Sequence, residues 1–357
     1  MYVFFGNSIP CVWGFFPVVG ELVYVLALKE RHAELSCLEK VAVSCHVESL
    51  ERLQFPGWFA KFWKDNGVEP IIRFFISHMY PGRLPSGIYT KMDRFAAAGI
   101  RWVEIGNEPN IAVEWHDEGL RDLPHAGDAA VIGSSDAAVA RVSEDWLLDA
   151  EETIRHGCWP AYPALSPTDW HNGINPFYSS VDFYRRSFRY YAADPGRAAR
   201  FRKVFADGAW LSVHTSWRQP GSLALDLDPF TGFPSLNSGT LDNPWDICLR
   251  GYEIPLRYLK ENLGMTGVKV ISTEGGAFSP EHLRDHIHDP MYSEDEWANC
   301  LLAVYDWLAK HSDMVAMCPW VLTDAYGAES SWPENGWYRG KSPRSIIPKL
   351  RQAWAAV

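Results

Sequence analysis

Short apolar runs bounded by turn residues alternate along this chain with longer stretches whose apolar positions recur every three or four residues. A bounded apolar run reads as a buried strand, and the 3.6-residue recurrence reads as an amphipathic helix. Strands are expected at residues 70–76, 102–106, 162–166, 210–215, 268–273 and 314–322. Helices are expected at 57–67, 86–99, 143–157, 181–205, 246–263, 293–311 and 347–356. Gly67, Gly99 and Gly157 stand where three of these helices stop, as a left-handed closing residue requires. Ser293, with Glu296 three residues on, has the form of a capping box. The first 55 residues are less regular; residues 2–5 and 40–44 are the best candidates for strands one and two, with 21–38 as the helix between them. Strand and helix alternating in this way predict an α/β fold, a single (β/α)8 barrel over residues 1–357. Its longest βα connections, 218–243 and 323–340, are aromatic-rich.

Composition sharpens this picture at two points. Forty-four acidic against 33 basic residues give a net charge of -11, which disfavours a nucleic-acid partner, since phosphates call for a basic face. Aromatic residues make up 14% of the chain, including 17 Trp. Many belong in the core, but an indole N–H needs a partner when buried. Trp115, Trp159, Trp170, Trp217, Trp332 and Trp337 lie near turn residues, where flat rings suit the C–H faces of sugars.

In a barrel of parallel strands, reactive side chains gather at the C-terminal strand ends. Two glutamates are expected there. Glu108 lies in Gly106-Asn107-Glu108-Pro109-Asn110 after the fourth strand, and Glu274 in Ser272-Thr273-Glu274-Gly275-Gly276 at the end of the seventh. Glycosidic hydrolysis needs such a pair, one carboxyl to protonate the leaving oxygen and one to attack the sugar carbon. A salt-bridged strand end or a helix cap uses glutamate as well. Gly-Asn-Glu-Pro-Asn is nevertheless poor strand material and marks an exposed turn, and Gly275-Gly276 leaves space beside Glu274 for a ligand. Arg73 is placed either to neutralise Glu104 inside the barrel or to serve the site. His214, at a strand end, is either a satisfied structural group or part of the site. Glu114 and Asp324 are further polar candidates near strand ends.

The Asn107-Glu108-Pro109 triplet, Glu274 and Pro319-Trp320, on the fourth, seventh and eighth strands, resemble clan A of the glycoside hydrolases, the retaining TIM-barrel glycosidases. Ile71-Ile72-Arg73-Phe74 and Glu114-Trp115 add to the resemblance, which covers about residues 70–340. It implies that Glu108 is the general acid/base and Glu274 the nucleophile. It further implies that Asn107 bonds the sugar 2-hydroxyl, that Trp320 is the floor under the reacting sugar, and that Arg73 holds the nucleophile ionised. His214 matches a position where the clan often carries a polar His. The clan frequently places Tyr two residues later, where this chain has Ser216, so a phenol that orients the nucleophile is missing or comes from elsewhere.

The expected activity is therefore retaining hydrolysis of a β-linked oligo- or polysaccharide, with no cofactor and no metal, and with Trp115 and Trp217 among the sugar contacts. The long loops suit an extended groove for endo action or a walled pocket for exo action. A carbohydrate-binding barrel without turnover is the alternative. His282, His286 and His288 with Asp285 and Asp289 have a metal-like spacing, but a polar loop after strand seven explains them more simply. A metal-dependent sugar isomerase would spread its ligands over several strand ends. Seven cysteines (11, 37, 45, 158, 248, 300 and 318) show no CxxC and read as reduced thiols. The apolar run 9–28 is broken by Pro10, Gly14, Pro17, Gly20 and Glu21, so neither a signal peptide nor a membrane span is expected. Cysteine usage favours a reducing compartment, whereas a polymeric substrate favours secretion.

Overall fold

The computed structural model describes residues 23–29, 39–45, 64–65, 68–74, 79–80, 82–111, 114–115, 136–166, 180–217, 249–277, 293–308, 312–319, 338–339 and 342–355. Its central feature is a nine-stranded sheet: β1 (Val23–Lys29), β2 (Glu39–Cys45), β3 (Val68–Phe74), β4 (Trp102–Ile105), β5 (Trp159–Tyr162), β6 (Trp210–Val213), β7 (Ser216–Trp217), β8 (Val270–Ala277) and β9 (Met314–Pro319). From β2 to β9 every ladder is parallel, in the order β2-β3-β4-β5-β6-β8-β9, with the short β7 also along β8. The helices that cross between strands are α1 (Ser86–Ala97), α2 (Asp136–Arg155), α3 (Ser180–Ala192), α4 (Pro195–Ala206), α5 (Glu253–Leu263) and α6 (Glu294–Leu308); α7 (Ile346–Ala355) follows β9. A two-stranded ribbon of β10 (Tyr338–Arg339) and β11 (Ser342–Pro343) precedes α7. No described helix is long and apolar enough to cross a membrane.

Side chains alternate across the strands, as the pleat requires. Ile72 and Phe74 on β3, Val103 and Ile105 on β4, Tyr162 on β5, and Leu211 and Val213 on β6 face the helices. There they join one large core with Ile88, Met92 and Phe95 of α1 and Val139, Val142 and Trp146 of α2. Their neighbours face the other way. Ile71, Ala161, Trp210, Ile271, Ala316 and Cys318 form a second, separate cluster, flanked by Trp102, Trp159 and Val315. Five strands meet in that cluster, so the sheet curves around it as part of a barrel wall.

Several expected elements shift, each for a local reason. The helix expected over 181–205 is two helices, because Pro195 lacks an N–H and restricts the residue before it. Asp194 leaves the helical region there and caps α4, accepting from the Arg197 N–H at 2.7 Å. The strand expected at 162–166 is β5, which ends at Tyr162. Its sequence reads Trp-Pro-Ala-Tyr, and the missing amide at Pro160 hid it as a strand. Helix α2 starts at Asp136, seven residues before position 143, with Ala138, Val139 and Val142 already on its buried face. The expected helix over 21–38 is overturned: Val23–Lys29 is β1, antiparallel to β2, and its β-branched and apolar run VYVLALK suits a strand as well as a helix. Residues 2–5 and most of 57–67 lie outside the described residues. The Ser293 capping box is present: the Ser293 hydroxyl accepts from the Glu296 N–H at 3.2 Å, and the Glu296 carboxylate accepts from the Ser293 N–H at 2.6 Å.

Candidate active site

The turn that carries Glu108 is pinned from three sides. Gly106 has φ 74°, and a Cβ there would collide with the Tyr80 hydroxyl, so only glycine fits. The Gly106 N–H donates to the Phe74 carbonyl of β3 at 3.4 Å, and the Tyr80 phenol is hydrogen-bonded to the backbone of Asn107. On the other side the Glu108 N–H donates to the Ala164 carbonyl at 3.1 Å. Asn110 and Ser166 bond reciprocally, the Asn110 amide to the Ser166 carbonyl at 2.8 Å and the Ser166 N–H to the Asn110 side-chain oxygen at 2.9 Å. From beneath, the Trp115 indole donates to the Pro109 carbonyl at 3.0 Å. Among the described residues Glu108 is the one non-glycine at positive φ, 34°. Backbone held in a sparsely populated region persists where its surroundings over-determine it, and functional sites are the usual place.

Glu274 lies inside β8, and the structure brings it to Glu108. One ligand-capable atom each of Glu108, His214 and Glu274 lies within 4.8 Å of the other two. His214 follows β6 and is buried. Its Nδ1 is 2.7 Å from Glu108 Oε1, and its Nε2 is 3.7 Å from Glu274 Oε1. Burial disfavours the imidazolium, but the charge of Glu274, with the hydrogen bond and charge of Glu108, outweighs it. The His214 pKa is therefore raised despite the opposing charge of Arg73.

Arg73, pointing inward from β3, is 1% exposed and serves two carboxylates. Its guanidinium donates to Glu274 Oε1 and to Asn107 Oδ1, and its Nε lies 3.5 Å from Glu104 Oε2. Arg73 thus reaches both Glu104 and Glu274. Glu104 is completely buried, and its other oxygen accepts from the Ser212 and Thr273 hydroxyls at 2.6 and 2.7 Å. The Asn107 amide is held at both ends, since its Nδ2 donates to Glu114 Oε1 at 2.7 Å. Glu114 is buried. Desolvation is the main cause that lifts its pKa to about 7, with the charge of Glu108 adding to it and the Asn107 hydrogen bond opposing.

Of the sequence candidates, the structure gathers Glu108, Glu274, Asn107, Arg73, His214 and Glu114. Trp115 is buried, its ring tilted against Tyr80 with centroids 6.0 Å apart, and supports the turn. It is not the exposed loop ring that its neighbouring turn residues suggested. Gly275 is also packed more tightly than expected: an added Cβ would stand 2.5 Å from both the Ser272 hydroxyl and the Thr215 carbonyl, so the glycine serves close backbone approach. Ser216 pairs with Gly276 along β8. Trp320, Asp324, Trp170, Trp332, Trp337, the His282–His288 stretch and the Trp217 side chain lie outside the described residues. Tyr80 and Glu104 had not been read as site residues, and nothing local in the sequence marks Tyr80, whose place depends on Gly106 being bare. A cation has a donor set in Glu108, His214 and Glu274. Arg73 beside Glu274 and His214, whose pKa is raised, beside Glu108 make these carboxylates part of an ion-pair network.

No family model matches the chain, and no curated protein matches it in sequence. Solved structures similar to it are glycoside hydrolases. A GH128 endo-β-1,3-glucanase from Amycolatopsis mediterranei is 16% identical, with a TM-score of 0.39, over 80% of this chain and 83% of that one. An endoglucanase from Pseudomonas stutzeri is 14% identical, with a TM-score of 0.39, over 83% of each chain. A GH5 xyloglucan-specific endo-β-1,4-glucanase from a metagenomic library is 11% identical, with a TM-score of 0.37, over 84% of this chain and 88% of that one.

Proposed function

We propose that this protein is a retaining β-glycoside hydrolase, with Glu274 as nucleophile and Glu108 as general acid/base. The observation that carries the reading is the spacing of the pair, with an oxygen of each carboxyl within 4.8 Å. Retaining pairs stand about 5–5.5 Å apart, and inverting pairs about 6.5–9.5 Å, to leave room for water. The charges favour the same division of labour. Glu274 faces the permanent cation of Arg73, which suits the carboxylate that attacks the sugar carbon. Glu108 faces His214, which can give up a proton. In the first step Glu274 displaces the leaving group to form a glycosyl ester while Glu108 protonates the departing oxygen, and the Glu108–His214 pair holds the proton needed. In the second step Glu108 takes a proton from water, which cleaves the ester.

Arg73 and His214 both approach Glu274 Oε1, and together they supply the orientation that a phenol two residues after His214 would give. The curved sheet is read as the barrel of a single domain, in which β1, antiparallel to β2, meets β9 at the seam where a (β/α)8 barrel would have a parallel strand. Its substrate is a β-linked oligo- or polysaccharide, with Trp217 and Trp320 as candidate contacts.

The test is reducing-sugar release from β-glucans, xylans, mannans, galactans and aryl glycosides, with anomer detection by NMR. Release of the β-anomer first, abolished in Glu274→Gln, is the expected result. Release of the α-anomer first would overturn retention. No release by folded wild-type protein across the panel would favour a binding barrel without turnover.

A further inference from the structure

Glu114 is not part of the reacting pair, yet its buried carboxyl is bonded to Asn107, which also accepts from Arg73. It is 6% exposed. Its backbone is fixed by the Ile111 carbonyl, which accepts the Glu114 N–H at 3.2 Å, and by its own carbonyl, which accepts the Tyr80 N–H at 3.1 Å. Its Oε1 receives the Asn107 Nδ2–H at 2.7 Å. At the opposite end Asn107 Oδ1 accepts from Arg73. An amide has two nearly isosteric orientations, and the partners decide between them. Arg73 has only donors, and an ionised Glu114 has only acceptors. The flipped amide would set N–H against guanidinium at one end and oxygen against carboxylate at the other, so one orientation alone satisfies both.

We propose that Glu114 is a positioning residue that acts through Asn107, locking its amide so that the second Nδ2–H faces the reacting sugar. The inference rests on the glycosidase reading for its catalytic consequence, but the lock itself exists without substrate. A buried carboxyl is costly to keep for packing alone. Here it completes a chain running from Glu114 through Asn107 and Arg73 to Glu274. The charged or titratable groups that face Glu114 are Tyr80 from the segment after β3, Arg73 from β3, Glu108 from the turn after β4, and Glu274 from β8. Three of these four are anionic or can become so. The acceptor strength toward Asn107 therefore changes as Glu114 ionises, and ionisation is expected near pH 7.

The test has an arm without substrate and an arm with it. In the first, the Asn107 side-chain amide is followed by 15N–1H NMR in the whole protein. The expected result is a shifted, slowly exchanging proton whose shift titrates near pH 7. It should lose the titration in Glu114→Gln and lose both properties in Glu114→Ala. A signal indifferent to pH and to both substitutions overturns the proposal. In the second arm, kcat and KM are measured for Glu114→Ala, Asn107→Ala and the double variant. Glu114→Ala is expected to lower kcat about tenfold or more with little change in KM, and Glu114→Gln, which keeps an acceptor, to recover most of that loss. Glu114→Ala should cost nothing further once Asn107 is Ala, because residues acting as a unit are non-additive. Multiplying losses would mean a general structural role and would overturn the proposal even if Glu114→Gln folds normally. Wild type inactive on every substrate, with the NMR lock intact, would sink the glycosidase reading and leave the lock standing.

Discussion

Two levels of the sheet's inner face, one step apart along the same strands, have opposite chemistry. At the lower level Ile71, Trp102, Trp210 and Ile271 face inward, with Trp102 meeting Trp159 and Trp210 edge-on at ring centroid distances of 5.2 and 5.8 Å. Two residues further along each strand come Arg73, Glu104, Ser212 and Thr273, all buried and joined by hydrogen bonds and an ion pair. Period-two alternation puts both sets on the same face, so the difference lies in residue type alone. The lower level is apolar, and the upper level carries charge that it shares with Glu274 above it. Burying Glu104 without cost to the fold requires the Arg73 cation and two hydroxyls. The same arginine reaches upward to Glu274, so the buried layer and the rim share one cation.

The contrast can be broken by substitution. Glu274→Gln is expected to lower kcat by a thousandfold or more, the scale of losing a nucleophile, while the chemical-denaturation midpoint stays near wild type. A comparable loss of both would mean that Glu274 is a structural anion. Trp210→Ala removes a fully buried ring of the lower level and should cost about 3–5 kcal/mol of stability, with kcat per folded molecule retained. Arg73→Ala crosses the two levels. It leaves Glu104 buried without its cation, for a loss of about 3–5 kcal/mol, and it should also lower kcat at least tenfold; an effect on one readout only would separate layer from rim.

Smaller effects come from the titrating groups. Glu114 holds its proton to about pH 7 in the fold and only to about 4.3 in the unfolded chain. The folded state thus binds more protons between those values, and stability declines as pH rises through that window. Glu114→Gln removes the decline. Its melting temperature should exceed wild type at pH 8, by an amount worth about 1–3 kcal/mol, and match wild type at pH 4. His214 has linkage of the same sign in a higher pH window. Its folded pKa is raised, so the stability it contributes is complete below about 6.5 and fades as pH rises through the higher folded value. NMR titration should show an imidazole still protonated at pH 6.5, and Glu108→Gln should move its midpoint down. An unmoved midpoint would mean that Glu108 has no part in charging it.

Much of this arrangement was legible in the chain. The strands β3, β4, β6 and β9 and the starts or ends of α1, α6 and α7 follow from apolar periodicity and capping residues, which act over one or two turns of chain. Glu108 was legible because it follows a strand in a sequence that no buried strand or helix would choose, and Glu274 because a diglycine follows it, although β8 runs on through Glu274 to Ala277. The break at Pro195 was also local and readable, but the apolar periodicity on either side masked it. Val23–Lys29 was not readable, since an apolar run of that length suits either a strand or a helix until a partner such as β2 pairs with it.

By itself, then, the sequence determined which residues alternate, where most turns fall, and that two carboxyls stand beside glycine-rich breaks after apolar runs. It did not determine that Trp115 goes inward under Pro109, that Gly106 is bare because Tyr80 crosses it, or that Glu114 grips Asn107. Those contacts join segments distant in the chain, and their energies depend on burial and on distances of a few ångströms. The curvature of the sheet decided them, because it turned β3, β4, β6 and β8 toward one another and made a single charged layer out of residues that local pattern treats as unrelated.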